Sequence, residues 1–308
     1  MKKNNITNKK KSSFIDYIIN YKSNEKLNEN IFESSNYKKT KISKIEGTKV
    51  NKYTNEFWTS KQRQGNSLHE VSYRACFKPQ LPKFFIKKLS KPNDFIYDPF
   101  SGRGTTAIEA SLLGRHFYAN DINPLSKILC EPRLFPPNIE DLKKYLYKKI
   151  PIDYKLKADI DLSMFYHPKT ESEITSLQKY FHTKKTLNNI DKWIRMVATN
   201  RLTGHSKGFF SVYTLPPNQA VSAKRQVEIN KKRKQAPEYR DTFKLILKKS
   251  ASLLRSISNE EINQINKVSQ KSIFLTKDAA TTNSIPDNKI NLTITSPPFL
   301  DVVQYAKD

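Results

Sequence analysis

Three stretches of this 308-residue chain carry residues whose types and spacing could do chemistry. The first is Asp98-Pro99-Phe100-Ser101-Gly102-Arg103-Gly104-Thr105-Thr106. Glycine is scarce, at 7 residues, and three of the seven fall between positions 102 and 114. With no Cβ at Gly102 or Gly104, a ligand can lie against the backbone, and a helix starting just beyond offers free N–H groups to a carboxylate. A bare GxG describes an ordinary tight turn equally well, whereas the whole string from aspartate to the paired threonines is far more specific. The second is Asp121, in Tyr118-Ala119-Asn120-Asp121-Ile122-Asn123, some 20 residues further on, where a carboxylate can accept bonds from two ribose hydroxyls or else serve a surface turn or helix cap. Asp278 stands in the same relation to a later strand and could accept from a purine amino group or N-cap a helix. The third is Ser296-Pro297-Pro298-Phe299. An amine conjugated to a ring is a poor nucleophile. Acceptors on its hydrogens, here the Ser296 hydroxyl and the Pro297 carbonyl, would localise the lone pair for in-line attack, while Pro298 stiffens the turn and Phe299 stacks on the ring. Pro136-Pro137 and Pro216-Pro217 show that a proline pair alone proves nothing, so context decides.

The elements that must position these groups are legible around them. Phe95-Ile96-Tyr97 is a short apolar strand running into the glycine loop, and Ile108, Leu112 and Leu113 repeat at helical spacing up to Gly114. A second strand over His116 to Asn120 ends at Asp121; two more, Ser272 to Thr276 and Ile290 to Thr295, precede Asp278 and Ser296. Strands alternating with helices argue for a mainly parallel sheet, whose carboxyl edge is where ligands bind. A helix is expected from near Pro82 through Leu89. Helical patterns over Asp141 to Ile150, Glu171 to Phe181 and Leu187 to Ala198 describe a helical insertion between the second and third strands. Residues 1–52 read as a basic, partly disordered arm, 53–135 as the first half of the α/β domain, 136–269 as the insertion and 270–308 as the segment carrying the third stretch.

Lys plus Arg number 55 against 29 Asp plus Glu, a formal net charge of +26 that favours a polyanionic partner. Abundant lysine, asparagine and isoleucine also fit the codon bias of an AT-rich genome, so charge alone does not decide. Cys76 and Cys130 lie far apart without a CxxC partner, which supports neither a disulfide framework nor a metal site. No apolar run approaches the ~20 residues that span a bilayer, and the start lacks a signal-peptide core, so a prokaryotic cytoplasmic location and no membrane partner are expected.

Asp98 to Thr106 and Thr295 to Phe299 resemble the cofactor and catalytic motifs of the amino-methylating DNA methyltransferases, enzymes of cytosine N4 and adenine N6. The resemblance extends from about Tyr53 to Asp308. It includes Tyr73-Arg74-Ala75-Cys76-Phe77-Lys78-Pro79-Gln80-Leu81-Pro82, similar to the motif that closes over the methionine part of the cofactor. It implies a Rossmann-like α/β sheet and S-adenosylmethionine as donor. Around the donor it places Lys78, Pro79, Asp98, Pro99, Phe100, Gly102, Gly104 and Thr105, with Asp121 on ribose and Asp278 near adenine. It also implies double-stranded DNA as substrate, with the target base flipped from the duplex, in a restriction-modification or related system.

Serine at 296, where aspartate is common in adenine enzymes, favours cytosine N4, with adenine N6 as the alternative. Methylation at carbon 5 of cytosine needs a cysteine nucleophile, and neither cysteine sits in a Pro-Cys turn after a strand. RNA is disfavoured because nothing resembles an aromatic RNA-binding sheet motif. Tyr213, Asn218, Gln219, Arg225 and Tyr239 of the insertion are candidates for DNA contact, and His205 stays outside the catalytic set. Family members continue beyond the Ser-Pro-Pro turn with further strands, whereas this chain has nine residues after Phe299. The expectation is an incomplete sheet: a split enzyme completed by a second polypeptide, a truncated gene, or a fragment. An inactive DNA-binding remnant is the reading from a different class.

Overall fold

The computed structural model describes residues 14–20, 40–54, 65–73, 76–215, 221–281 and 283–298. Contacts divide the chain into two compact units, Met1–Gln64 and Gly65–Asp308.

In the first unit, residues 14–19 form a helix (α1), and Lys41–Lys44 (β1) pairs antiparallel with Asn51–Thr54 (β2). Part of the stretch expected as an irregular basic arm is therefore a hairpin. Its side chains are almost all exposed, so the pairing rests on backbone hydrogen bonds and leaves no apolar alternation to read.

The second unit is built on a parallel sheet of Phe95–Asp98 (β3), His116–Asn120 (β4), Ile273–Leu275 (β5) and Leu292–Thr293 (β6), in the order β5-β4-β3-β6. β4 is buried throughout and stands beside β3 in the middle of the sheet. The two later strands are shorter than their apolar runs, because only part of each run reaches a partner: Ile96 and Tyr97 pair with Leu292 and Thr293. From β3 the chain moves to one side of the sheet, and only at β6 does it return to the other side of β3. The switch point between β3 and β6 opens the kind of crevice in which open α/β sheets bind ligands. This architecture is a Rossmann-like α/β fold.

Thr105–Leu112 (α3) follows the glycine loop, with Thr105 to Ser111 all buried. Its small residues Ala107, Ala110 and Ser111 let it press against the sheet between Gln80–Leu89 (α2) and Asn259–Ser269 (α10). α10 is tied to this layer by the Gln264 amide donating to the Leu112 carbonyl at 2.6 Å and by His116 Nδ1 at 3.0 Å from the Val268 carbonyl. Pro124–Cys130 (α4) follows β4.

The helical region comprises Ile139–Lys149 (α5), Pro168–Thr183 (α6), Asn189–Arg201 (α7), Ala223–Arg233 (α8) and Thr242–Leu254 (α9). α7 is its axis: Trp193 is fully buried and donates to the Ser250 hydroxyl of α9 at 2.9 Å. The sequence reading marks α5, α6 and α7 but not α8, α9 or α10. α8 is polar and buries only Gln226 and Ile229. Signals for the other two are present in the sequence: Phe243, Ile246, Ser250 and Leu253 at helical spacing, and a capping box from Ser258 to Glu261.

Candidate active site

The glycine loop owes its shape to contacts a side chain would destroy. Gly102 and Gly104 have φ of +50° and +81°, in the left-handed region that glycine adopts at little cost. A Cβ on Gly104 would stand 2.1 Å from Cys130 Sγ, so the loop passes directly over the end of α4. A Cβ on Gly102 would come 3.2 Å from the Tyr73 ring.

Asp121 fastens this loop to the end of β4. Its Oδ2 accepts the Gly102 N–H at 2.7 Å and its Oδ1 the Asn123 N–H at 2.9 Å, leaving a further lone pair on each oxygen. Asn120, buried beneath it, joins the ends of three strands. Its side-chain amide donates to the Pro99 carbonyl at 3.3 Å and to the Lys277 carbonyl at 2.9 Å, and its Oδ1 accepts the Lys277 N–H at 3.1 Å. Sequence reasoning passed over Asn120 because an asparagine beside an aspartate at a strand end reads as turn chemistry.

Asp98 is sealed at the end of β3. Burial pushes its carboxyl up to about 6, against the opposing pull of the nearby Thr295 and Thr106 hydroxyls and the Phe100 amide. Oδ1 accepts the Phe100 N–H at 3.2 Å, and Oδ2 is sealed from solvent. Thr295 leads directly into the Ser-Pro-Pro turn. Ile294 is held to β3 by donating to the Tyr97 carbonyl at 2.9 Å, so the turn inherits the register of the sheet.

These elements enclose one cleft at the switch point. Phe100, Ser101, Gly102 and Thr105 line it from the β3 side, Asp121, Ile122 and Asn123 from β4, Ser296 and Pro298 from the segment after β6, and Tyr73, Cys76 and Phe77 from the segment before α2. Phe100 and Ile122 leave 37% and 72% of their surface exposed, so two apolar faces stand bare beside the Asp121 carboxylate. Of the residues singled out in the sequence, Phe100, Gly102, Thr105, Asp121, Ser296 and Pro298 are brought together here. Asp98, Pro99 and Gly104 build the loop without lining the cleft. Pro297 is exposed, and Phe299 lies outside the described residues.

Lys78 and Pro79 do not line the cleft; Pro79 instead opens α2. The residues that do line it, Tyr73, Cys76 and Phe77, come from the same stretch but a few positions earlier. Asp278 is exposed and its Oδ1 accepts the Ala280 N–H at 2.9 Å, closing a turn; no helix starts there among the described residues, so it is not the helix N-cap that the sequence also offered. In the insertion, Tyr213 lies 3.7 Å beneath the Arg233 guanidinium, Arg225 pairs with Glu228, and Tyr239 donates to Glu173. Asn218 and Gln219 lie outside the described residues.

Behind the loop runs a buried polar brace. Arg133, fully buried, donates to the Leu129 carbonyl at 2.8 Å, the Leu68 carbonyl at 2.8 Å and the Arg103 carbonyl. Burial lowers its guanidinium to about 10. His69 contacts Glu109 of α3 at 2.8 Å, and burial holds its imidazole below the ordinary value, the Glu109 bond acting the other way.

A glycine loop between a parallel strand and a buried helix, a carboxylate after the next strand, and a Ser-Pro-Pro turn across the crevice are the arrangement that the resemblance to methyltransferases implies, on a Rossmann-like fold. Residues 1–127 match the DNA methylase model of the N6/N4 methyltransferases, and residues 73–185 match the methyltransferase domain of the RMKL-like proteins. These matches and the relatives below support a likeness to the amino-methyltransferase family.

The type II methyltransferase M.BsoBI of Geobacillus stearothermophilus is 28% identical over 276 residues, covering 79% of this chain and 52% of that protein. M.MjaII of Methanocaldococcus jannaschii is 33% identical over 88 residues, 28% of this chain and 17% of that protein. M.BglII of Bacillus subtilis is 28% identical over 126 residues, 38% of this chain and 35% of that protein. The chain thus spans about half the length of M.BsoBI and less of the others. No described helix is long and apolar enough to cross a membrane.

Proposed function

We propose that this chain transfers a methyl group from S-adenosylmethionine to the exocyclic N4 amine of cytosine in double-stranded DNA, as part of a restriction-modification system. The observation that carries the reading is that Ser296 and Pro298 line the same cleft as Phe100, Gly102 and Asp121. One opening therefore holds both the acceptor end and the cofactor end.

The residues fit the cofactor. The cleft offers bare apolar faces at Phe100 and Ile122 for a flat ring. Asp121 keeps lone pairs for ribose hydroxyls after holding two backbone amides. Gly102 is a cradle that a Cβ would crowd. Phe100, Gly102, Thr105, Asp121 and Ile122 are the proposed contacts. Asp98, Pro99 and Gly104 shape the loop and set its negative potential towards the cationic part of the ligand. Lys78, Pro79 and Asp278 do not line the cleft and stay outside the proposed contacts.

When bound, the cofactor supplies an electrophilic methyl on sulfur. The Ser296 hydroxyl oxygen and the Pro297 carbonyl accept the two amine hydrogens, which turns the nitrogen lone pair towards that methyl, and the rigid proline pair holds both acceptors in place. With the methyl delivered to the nitrogen, Ser296 would relay the displaced amine proton to solvent. Phe299 stacks on the base in this reading.

Incubation of the full chain with tritiated S-adenosylmethionine and mixed-sequence duplex DNA, followed by nucleoside analysis, tests the proposal. The expected product is N4-methylcytosine. Label in N6-methyladenine keeps the cleft and overturns the base; no label in DNA while the cofactor still binds overturns the transfer. Ser296→Ala should lower kcat about 100-fold with little change in cofactor affinity.

A further inference from the structure

The largest cavity among those described lies not at the sheet but in the helical insertion, between α6 and α7, with a volume of about 520 Å³. Its floor is Phe165, Tyr166, Leu177 and Phe210, all buried. Its rim is polar: Gln178 and Thr203 are exposed at its edge. Arg195 of α7 stands in its wall, with Nε shut off from solvent and lacking a hydrogen-bond partner, and no ion pair joins it among the described residues. No Asp or Glu lines the cavity.

A guanidinium without an ion-pair partner lacks a counter-charge, and an apolar hollow of this size forgoes packing that neighbouring helices normally supply. Both deficits are met by a ligand with a flat apolar face, a hydrogen-bonding edge and a negative charge. The aromatic floor takes the face, Gln178 and Thr203 take the edge, and Arg195 takes the charge. In a chain of net charge +26, an anionic ligand is also favoured by the field of the whole molecule.

We infer that the cavity between α6 and α7 is a second nucleotide site, which takes one unpaired base together with its phosphate. Base stacking on aromatic side chains tolerates any base, since every base has a π-face. The site is therefore a holder of an extruded or single-stranded nucleotide rather than a reader of sequence. It is separate from the acceptor end of the cleft, since the two share no residue. Its use on DNA rests on the proposed function, whereas its chemistry does not.

The test uses the full chain with the cofactor end of the cleft saturated by S-adenosylhomocysteine, and the cavity variants, none of which lines the cleft, separate the cavity from the acceptor end. Calorimetric titration with deoxyadenosine 5′-monophosphate should show binding that weakens at least tenfold in Arg195→Gln and in Ala198→Phe, where the new ring fills the cavity from α7. Thr203→Trp, at the exposed rim, covers the case in which Ala198→Phe fails to fold. Duplexes with and without one bulged nucleotide then separate the sources. A preference for the bulge that Arg195→Gln abolishes assigns the site to DNA, and nucleotide binding without that preference assigns it to a free nucleotide. Binding that is absent, or unchanged in all three variants, overturns the site. Loss of S-adenosylhomocysteine binding in the parent chain would instead overturn the proposed function, while the nucleotide titration still reports on the cavity.

Discussion

The cleft at the sheet and the cavity in the insertion are two hollows held open by opposite means. The cleft is fixed by backbone: Asp121 grips the Gly102 amide, Asn120 joins three strand ends, and Gly104 passes over Cys130 with no space for a side chain. The cavity is fixed by packed side chains, Phe210 and Tyr166 among them, standing between α6 and α7, of which α7 is pinned to α9 by Trp193 and Ser250. A site held by backbone tolerates little change at a few positions and is indifferent to change elsewhere. One held by packing loses stability gradually with volume.

The sharpest contrast is expected at Gly104→Ala. The new methyl would meet Cys130 at 2.1 Å and the residue would keep a φ of +81°, so the variant should lose about 3 kcal/mol or more with the loop displaced. Thermal unfolding and cofactor titration should fall together, and Cys130→Ala in the same chain should restore part of both. A melting temperature unchanged by Gly104→Ala would mean that the loop is not so confined. Phe210→Ala, at the floor of the cavity, should cost about 3 kcal/mol of stability yet leave cofactor affinity within a factor of about two once folding is corrected for. A matching loss of cofactor binding would erase the distinction between the two hollows.

Asp98 should behave in a way that neither hollow shows elsewhere. Its carboxyl is raised in the folded chain to about 6 from the ordinary 3.8, so the folded state binds the proton more tightly than the unfolded one. Its charge therefore opposes folding in full above about pH 6, and that penalty is relieved as the pH falls towards 4. Asp98→Asn should raise stability at pH 7 by about 1–2 kcal/mol while weakening the cofactor several-fold, and cofactor affinity in the parent chain should decline as the pH drops through about 6. Denaturant melts at pH 7 and pH 5 with parallel cofactor titrations check both signs; parallel losses of stability and binding would make Asp98 an ordinary structural carboxylate. The smallest effect is expected at Gly102→Ala, where the Tyr73 ring can yield a few tenths of an ångström at 3.2 Å: about 1 kcal/mol and a few-fold in cofactor affinity.

Much of the cleft is legible in the sequence because its parts are local. The glycine string lies between a strand and a helix that the apolar pattern announces, and Asp121 and Ser296 follow strands whose existence is read the same way. What was not legible depends on which side chain turns where. Lys78 and Pro79 sit in the stretch that faces the cleft, yet Tyr73, Cys76 and Phe77 do the lining, because α2 starts at Gln80 and carries the later residues away. Asp278 reads like Asp121 in sequence but bends back onto Ala280. Ile122 is hidden in plain view, an apolar residue beside an aspartate whose exposure only the structure reveals. The β1–β2 hairpin left no trace, since backbone pairing with exposed side chains imposes no pattern.

The sequence by itself determined the alternation of strands and helices, the glycine loop and the Ser-Pro-Pro turn. Each is specified by backbone preferences and apolar periods acting over a few residues. Only the tertiary structure decided that β6 returns to the far side of β3, bringing residues nearly 200 positions apart into one cleft. It likewise decided that α6 and α7 diverge enough to leave a second hollow with an unpaired arginine in its wall. Strand order and helix spacing are set by how buried surfaces fit one another across the whole chain, and no local stretch of residues encodes that fit.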